Sequence, residues 1–141
     1  MKNISIIYWS GTGNTEKMAL SVADGAKETG VEVQLKNVSE ATIEDIKSSD
    51  AIALGCPSMG SEQLEEMEME PFIDSISGEV NGKKVGLFGS YGWGDGQWMR
   101  DWVERMEEYG AEIIGEGVIA NEEPGEDEIE QCQELGKDLT K

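Results

Sequence analysis

The segment Ser10-Gly11-Thr12-Gly13-Asn14-Thr15 joins a short apolar run to an amphipathic one. The run before it, residues 4–9, is rich in isoleucine and aromatic side chains and predicts a buried β-strand. The residues after it place apolar side chains at the spacing of one helix face, at Met18, Ala19, Val22, Ala23 and Ala26. The segment, called the first loop below, is therefore predicted to connect a strand to a helix.

The first loop has the composition of an anion-binding site. Its glycines, Gly11 and Gly13, allow a tight turn that brings backbone N–H groups inward. The following helix adds unpaired N–H groups and the positive end of its dipole. Side-chain donors are present at Ser10, Thr12, Asn14 and Thr15. These donors suit a phosphate dianion, and the loop contains no Lys or Arg.

Two other phosphate motifs are excluded. A Walker A loop requires Gly-Lys-Ser/Thr after four spacer residues, and a dinucleotide-binding loop requires a third glycine where this chain continues with Asn14, Thr15 and Glu16. One alternative stays open, because an ordinary turn between strand and helix would also place Asn14 or Thr15 where it caps the helix.

Composition and charge narrow the function. The chain has 141 residues, the size of one ordinary domain, with 30 acidic and 11 basic residues and a formal net charge of −19. Such a surface repels nucleic acid and anionic membranes, so neither is expected as a partner, whereas a protein with a basic face is attracted. The chain has no histidine, which excludes Ser-His-Asp and Cys-His catalysis and histidine metal sites.

The two cysteines, Cys56 and Cys132, form no Cys-x-x-Cys motif and are expected to be reduced structural thiols of a cytoplasmic protein. The early charge at Lys2 and the short first apolar run do not fit a signal peptide. No apolar run approaches the roughly 20 residues of a membrane-spanning helix.

Strand-like and helix-like segments alternate along the whole chain, which predicts an α/β fold with a doubly wound parallel sheet and helices on both faces. The predicted strands are 4–9, 31–38, 51–56, 84–89 and 112–120, and the predicted helices are 14–29, 41–47, 63–77, 96–109 and 126–139. Pro71 requires the third helix to bend or break. With no linker or repeat in the sequence, residues 1–141 are expected to form a single domain.

The apolar content of the strands predicts their order in the sheet. Three strands are almost entirely apolar and belong in the centre, while the second and fifth are weaker and belong at the edges, which gives the order 2-1-3-4-5. In such sheets a ligand binds beyond the carboxyl ends of the strands where the winding direction reverses, here between strands 1 and 3.

Two further loops are expected at that rim: the second loop, residues 57–62, and the third loop, residues 90–96. Met59 offers a polarizable thioether that packs well on a flat ring, and Trp93 projects an indole from a glycine-rich backbone. Together with the first loop, they indicate a site for a flat phosphorylated ligand. Ordinary structural alternatives are Met59 in the core, Trp93 covering the sheet end and Glu62 capping the next helix.

The three loops, in this order, resemble those of short-chain flavodoxins from strictly anaerobic bacteria. The matching segments are residues 8–16 (YWSGTGNTE), 54–62 (LGCPSMGSE) and 87–94 (LFGSYGWG). The resemblance runs nearly end to end, and the lack of an insertion in the last strand is typical of the short-chain class. It implies the flavodoxin-like fold and a non-covalently bound FMN cofactor.

The resemblance also implies individual roles. The first loop would hold the phosphate with help from Ser58, Met59 and Trp93 would cover the inner and outer faces of the isoalloxazine, and Glu62 would accept a hydrogen bond from ring N3–H. The Gly60–Ser61 peptide would turn its carbonyl toward N5–H in the semiquinone. The full implied set is Ser10, Gly11, Thr12, Gly13, Asn14, Thr15, Pro57, Ser58, Met59, Gly60, Ser61, Glu62, Ser90, Tyr91, Gly92, Trp93 and Gly94.

The implied function is low-potential one-electron transfer, with FMN cycling between oxidised, semiquinone and hydroquinone forms. The expected partners are redox enzymes with basic docking faces, such as ferredoxin-using oxidoreductases, and the carrier itself is expected to be a monomer without substrate turnover. The alternative is an FMN-dependent NAD(P)H reductase or a subunit of one, although no second domain or basic dinucleotide pocket is visible in the sequence.

Acidic residues follow the third and fifth predicted strands, and lysines fall at strand starts and helix ends. The acidic runs are Glu62, Glu65, Glu66, Glu68 and Glu70, and then Glu122, Glu123, Glu126, Asp127, Glu128 and Glu130. We therefore expect an electric dipole with its negative end at the ligand site, although a generic solvated acidic face would give the same pattern.

Overall fold

The computed structural model describes residues 2–141 and contains five α-helices and six β-strands within them. The strands are β1 (Asn3–Tyr8), β2 (Glu32–Asn37), β3 (Ala51–Gly55), β4 (Lys84–Tyr91), β5 (Glu112–Ile113) and β6 (Val118–Asn121). The helices are α1 (Asn14–Lys27), α2 (Ile43–Lys47), α3 (Met69–Ser75), α4 (Gln97–Glu108) and α5 (Glu126–Leu139), with a 3₁₀ turn at Val38–Glu40.

The strands form one parallel sheet in the order β2-β1-β3-β4-β5, and β6 pairs with β4 beyond β5. This confirms the predicted fold class and the order 2-1-3-4-5. The central strands β1, β3 and β4 are almost completely buried, whereas β2 alternates between exposed and partly buried residues. The polar residues at alternate positions of β2 therefore identified an edge strand correctly.

The last predicted strand, 112–120, is weak and interrupted by glycines, and the structure divides it into two short strands, β5 and β6. β5 pairs with β4 only at Lys84 and Val85, and β6 resumes the pairing at Phe88. Between them, Gly115 and Gly117 have φ values of +80° and +90°, in the left-handed region that favours glycine. The chain therefore leaves the sheet at this point and forms two short strands.

The third predicted helix, 63–77, is wrong in extent, because α3 begins only at Met69. Pro71 lies in the first turn, where a proline is tolerated because its missing N–H would have no helical partner. The chain before α3 folds differently: Met59 and Gln63 exchange two backbone hydrogen bonds, of 2.8 and 2.9 Å, across a tight turn. Pro71 therefore marks the start of a short helix and does not bend a long one.

The buried carboxylate of Glu65 fixes where α3 begins. Its Oε1 accepts hydrogen bonds from the backbone N–H groups of Glu68 (2.7 Å) and Met69 (3.0 Å), and its Oε2 accepts one from Met67 (2.9 Å). Burial by itself would raise the pKa of Glu65, but these three hydrogen bonds outweigh it and lower the pKa below the ordinary value of 4.5. Glu65 is only 6% exposed and is not part of the acidic surface that the sequence predicted.

The two faces of the sheet are covered by separate apolar layers. One layer packs Ile7, Leu54 and Leu87 against α3 and α4, and the other packs Ile4 and Ile6 against α1 and α5. Cys56 and Cys132 are free and buried in these layers, and burial raises the pKa of each thiol to about 12. Both cysteines are therefore protonated core side chains at neutral pH.

The helix ends differ from prediction by a few residues. α1 ends at Lys27, β4 continues to Tyr91, and α2 begins at Ile43 behind a capping box formed by Thr42 and Asp45. α5 has the predicted bounds. Within residues 2–141, none of the helices has the length and apolar character needed to cross a membrane.

Candidate cofactor-binding site

The three loops border one cleft of about 260 Å³ at the carboxyl ends of the central strands. Its lining combines hydroxyl and amide side chains, a methionine, three aromatic or cyclic side chains and one carboxylate. The lining residues are Trp9, Gly11, Thr12, Asn14, Thr15, Pro57, Ser58, Met59, Ser90, Tyr91, Gly92 and Glu122. The cleft lies at the predicted place, where the winding of the sheet reverses between β1 and β3.

Most of the residues implied by the resemblance line this cleft, and the others lie on adjoining turns of the same loops. The members of the implied set that do not line it are Ser10, Gly13, Gly60, Ser61, Glu62, Trp93 and Gly94. Two lining residues, Trp9 and Glu122, are outside the predicted set. Each is the first residue after a strand at the ligand rim, and this position in the sequence could have identified them as site residues.

Glu122 has a left-handed backbone conformation, with φ at +60°, which is uncommon for a residue other than glycine. Its carboxylate lies beside Gly92, where a Cβ atom would be 3.2 Å from Oε1 of Glu122. Backbone strain of this kind is concentrated at functional sites. The position places a negative charge on the wall of the cleft.

In the first loop, Ser10 organises the turn through its hydroxyl oxygen. This oxygen accepts hydrogen bonds from the backbone N–H groups of Gly13 (3.1 Å) and Glu16 (3.2 Å). Thr12 and Asn14 remain at least partly exposed and line the cleft. The loop therefore presents neutral donors at the N-terminus of a 14-residue helix, and no cation lies among the residues that line the cleft.

Thr15 connects the first loop to the third. Its hydroxyl lies 3.0 Å from the hydroxyl of Ser90, both side chains are buried, and the Ser90 backbone N–H points to Thr15 Oγ1 at 3.4 Å. The second loop is attached to the same strand end, because the Ser58 N–H donates to the Ser90 carbonyl at 2.9 Å. Ser90 therefore holds the three loops in register around the cleft.

The second loop turns tightly between Met59 and Gln63. Gly60 (φ +51°) and Glu62 (φ +56°) are both in the left-handed region, and a Cβ atom on residue 60 would meet no atom within 4 Å. The requirement for glycine at position 60 is therefore conformational and not steric. Met59 is 36% exposed and lines the cleft, which excludes the alternative that it is an ordinary core residue.

Glu62 joins the second loop to α4. Its Oε1 accepts a hydrogen bond of 3.0 Å from the backbone N–H of Gln97, the first residue of that helix. The alternative in which Glu62 caps the helix that follows it is wrong, because Glu65 caps α3. Trp93, in the third loop, is 61% exposed and leaves most of its indole in solvent.

Acidic residues lie at the ligand rim and lysines at the opposite end of the strands, as the sequence predicts, but some of the acidic residues at the ligand rim form ion pairs. At the ligand rim, Glu70 forms a two-bond ion pair with Arg105 (2.6 and 2.9 Å) and Glu123 pairs with Lys17 (2.8 Å), while Glu66 and Glu126 are exposed. At the opposite rim, lysines donate to backbone carbonyl groups. These contacts are Lys2 to Thr140, Lys83 to Ser49 and Lys84 to Lys141.

The donor set fits a flavin mononucleotide better than a metal ion. Within residues 2–141, no group of three His, Cys, Asp or Glu side chains is arranged to hold a metal. The first loop offers neutral hydrogen-bond donors for a phosphate, while Met59 and Tyr91 offer polarizable and aromatic walls for a flat ring. The residues present therefore fit FMN.

The flavodoxin family model matches residues 6–136, nearly the whole chain. The chain belongs to the flavodoxin family. It is 53% identical over 137 residues to the flavodoxin of Clostridium beijerinckii, covering 96% of this chain and 98% of the relative. It is 46% identical over 138 residues to the flavodoxin of Megasphaera elsdenii, covering 98% of each chain. The solution structure of two-electron reduced M. elsdenii flavodoxin superposes with a TM-score of 0.90 at 47% identity, covering 96% of this chain and 97% of that chain.

These findings confirm the short-chain flavodoxin resemblance, the fold and the general function. The protein is an electron carrier with FMN as its cofactor, and it is not an enzyme with its own substrate turnover. FMN, when bound, supplies the redox chemistry by accepting and releasing electrons one at a time. Flavodoxin is itself a standard illustration of ligand binding at the reversal point of a doubly wound sheet.

Proposed function

We propose that FMN occupies the cleft in the arrangement implied by the three loops, and that the protein delivers single electrons to redox enzymes with basic docking faces, such as ferredoxin-using oxidoreductases. The observation that carries the proposal is that residues of all three loops line one cleft. We further propose that residues 1–141 form a single domain and that the protein acts as a monomer in the cytoplasm.

The first loop would hold the phosphate. Thr12 and Asn14 line the cleft beside the first turn of α1, where unpaired N–H groups and the helix dipole favour an anion. Ser10 supports this arrangement by accepting two of the loop's own N–H groups. A phosphate held without a cation retains its negative charge next to the redox ring, and this charge opposes the addition of further negative charge.

The second and third loops would hold the ring. Met59 would cover the inner face, Trp93 the outer face, and backbone groups of Gly92 and Gly94 the polar edge. Glu62 would accept a hydrogen bond from ring N3–H. The Gln97 N–H bonds to Oε1 of Glu62, and the carboxylate keeps acceptor capacity for the ring at its second oxygen.

The peptide between Gly60 and Ser61 would accept a hydrogen bond from ring N5 through the Gly60 carbonyl whenever N5 carries a proton. The open surroundings of Gly60 and its left-handed φ allow this peptide to change orientation at low cost. Carboxylates around the cleft, including Glu62 and Glu122, disfavour a second negative charge on the ring. Both features favour uptake of a single electron.

A comparison of FMN with riboflavin tests the phosphate assignment. Stacking of the ring against aromatic side chains should quench flavin fluorescence, so titration of the apoprotein should give both dissociation constants. We expect FMN to bind about 100-fold more tightly or better, because hydrogen bonds to a charged group contribute about 1.5–3 kcal/mol each. The Asn14→Ala variant should weaken FMN binding and leave riboflavin binding nearly unchanged, whereas equal affinities of the wild type for the two ligands would exclude this site for the phosphate.

Salt dependence tests the choice of partner. Electron transfer from the reduced holoprotein to cytochrome c, a basic redox protein, should slow steeply as ionic strength rises. Glu66→Lys and Glu126→Lys at the ligand rim should slow the reaction at low salt. Glu112→Lys makes the same charge change at the opposite end of the sheet and should have little effect. A rate that does not respond to salt, or rapid reduction of the flavin by NAD(P)H alone, would contradict the proposed carrier role.

A further inference from the structure

A second hollow lies beside the cofactor cleft, on the outer side of the second loop. It has a volume of about 340 Å³ and is lined by Met59, Gly60, Gln63, Leu64, Glu65, Glu66 and Met67. Met59 lines both this hollow and the cofactor cleft. A group that enters the hollow therefore lies beside a residue that also borders the cofactor cleft.

Met67 borders the hollow and is 78% exposed, more than any other large apolar side chain in residues 2–141. Its backbone is nevertheless fixed, because the Met67 N–H donates to Oε2 of the buried Glu65 at 2.9 Å. The backbone that carries this exposed side chain is thus held by the same carboxylate that caps α3. A flexible apolar side chain on a fixed backbone adapts well to the surface of a partner.

The border of the hollow is acidic. Glu66 and Glu68 flank Met67 and are exposed, and the whole chain carries a formal charge of −19. Two copies of this surface would repel each other, so a second copy of this chain is a poor occupant. An apolar centre with a charged rim is the usual composition of a docking patch. Its charge complement is a patch with an apolar centre and a Lys or Arg rim.

We propose that this hollow receives an apolar side chain from the basic docking face of the electron-transfer partner, with Met67 as the anchoring contact. Met59 then lies between the seated side chain and the cofactor cleft. This inference rests on the partner class proposed above and adds to it a contact that does not depend on charge. The acidic rim attracts the partner to this face, and the Met67 contact prolongs the lifetime of the complex.

Methyl labelling of methionine provides the direct test. The chain has seven methionines, so holoprotein with ¹³C-methyl methionine gives a simple spectrum that is readable in complexes. On titration of the oxidised holoprotein with diamagnetic reduced cytochrome c, the Met67 and Met59 methyl signals should shift. The signals of the core residues Met18, Met99 and Met106 should not. Met67 signals that stay in place while cytochrome c binds would overturn the proposal.

Electron-transfer kinetics separate the apolar contact from charge. Met67→Gln should lower the second-order rate constant with cytochrome c about three- to tenfold at both low and high ionic strength, without changing the salt dependence. Leu20→Gln is a matched control, because Leu20 is 50% exposed on α1 and does not border the hollow. Glu66→Gln should instead reduce the salt dependence.

Three further results decide the inference. The FMN dissociation constant and both one-electron potentials of Met67→Gln should equal those of the wild type, and a change in either would assign Met67 to the cofactor site instead. A Met67 signal that shifts with the concentration of this protein alone would overturn the proposal in favour of self-association. The carrier function itself is tested separately, on the wild-type protein. If the wild type does not bind FMN, or if its electron transfer does not depend on salt, the proposed function fails before any variant is made.

Discussion

The carboxylate of Glu62 lies so close to Gly94 that a Cβ atom on residue 94 would be 2.6 Å from its Oε1. The same oxygen accepts the Gln97 N–H, so the carboxylate is held between the third loop and the start of α4. A glycine at position 94 is therefore required for the Glu62 position, and its φ of +86° independently favours glycine. The arrangement of the second loop depends on a residue of the third.

Gly94→Ala should displace the Glu62 carboxylate and weaken FMN binding. The added methyl group clashes with a charged side chain that is itself held by a helix N–H, and such overpacking costs about 1–3 kcal/mol. We expect the FMN dissociation constant to rise by about tenfold or more, as measured by fluorescence titration. In the Glu62→Ala background, Gly94→Ala should weaken FMN binding much less than it does in the wild type. If the losses in binding free energy of the two single variants simply add in the double variant, the two residues act separately.

Trp93→Ala should also weaken FMN binding, by about 1–3 kcal/mol on the scale of aromatic stacking against flat bases. The indole is 61% exposed, so little folding stability depends on it and thermal unfolding of the apoprotein should hardly change. Leu20→Ala removes another exposed apolar side chain, on α1, and serves as the control. If Trp93→Ala binds FMN as tightly as the wild type, the outer face of the ring is covered by another residue.

Glu65→Gln should destabilise the fold in a pH-dependent way. The folded-state pKa of Glu65 is below its ordinary value of 4.5, so the charged carboxylate stabilises the fold fully above about pH 4.5 and loses this effect as pH falls through the folded-state pKa. At pH 7 we expect a loss of about 1–3 kcal/mol in urea unfolding, because three N–H groups lose a charged acceptor. The difference from wild type should shrink as pH falls below about 4.5, and at pH 7 Glu68→Gln on the surface should cost much less stability than Glu65→Gln.

Gly25→Ala and Gly136→Ala should each destabilise the packing of α1 against α5. A Cβ atom on Gly25 would overlap the backbone carbonyl of Gln133, and one on Gly136 would overlap the Val22 carbonyl. Backbone atoms cannot move aside as side chains do, so we expect losses of at least about 1–3 kcal/mol despite the better helix propensity of alanine. Gly78→Ala, where a Cβ atom meets nothing within 4 Å, should be nearly neutral. Equal stability of all three variants would mean that the helices do not approach this closely.

The sheet and the three loops were predictable from the sequence because local signals agreed with the global fold. Apolar strands such as Ala51–Gly55 identified the centre of the sheet, and the alternation in Glu32–Asn37 identified an edge. The hydrogen-bond donors and glycines of the first loop are consecutive in the sequence, so the motif is visible without the fold. Parallel strands then brought it next to the second and third loops, as the strand order requires.

The parts that could not be predicted depend on contacts between residues distant in the sequence or on backbone conformation. Glu65 looked like one more surface glutamate, and only the folded chain shows its carboxylate buried against α3. Glu62 is close in sequence to α3 but bonds to α4, because the second loop turns back at Gly60. Glu122 reaches the cleft through a left-handed backbone conformation that the sequence pattern does not specify for a glutamate.

The central claim is that this chain binds FMN in the cleft and tunes it for single-electron transfer through the peptide at Gly60. A threonine at position 60 has space but, unlike glycine, opposes positive φ values such as the observed +51°, so it should restrict the change of peptide orientation that lets the Gly60 carbonyl accept a hydrogen bond from N5–H. Gly82→Thr is the matched control, because Gly82 has φ at +79°, open surroundings and a position at the opposite end of the sheet.

Spectroelectrochemical titration of the holoprotein, of Gly60→Thr and of Gly82→Thr tests this claim most directly. The wild type should show two separate one-electron potentials, and Gly82→Thr should match it. In Gly60→Thr the first potential should become more negative by tens of millivolts, since a neutral hydrogen bond contributes about 0.5–1.5 kcal/mol and ~59 mV corresponds to a tenfold change for one electron. The second potential should move less. A single two-electron step in the wild type, or a first potential that Gly60→Thr leaves in place, would contradict the account.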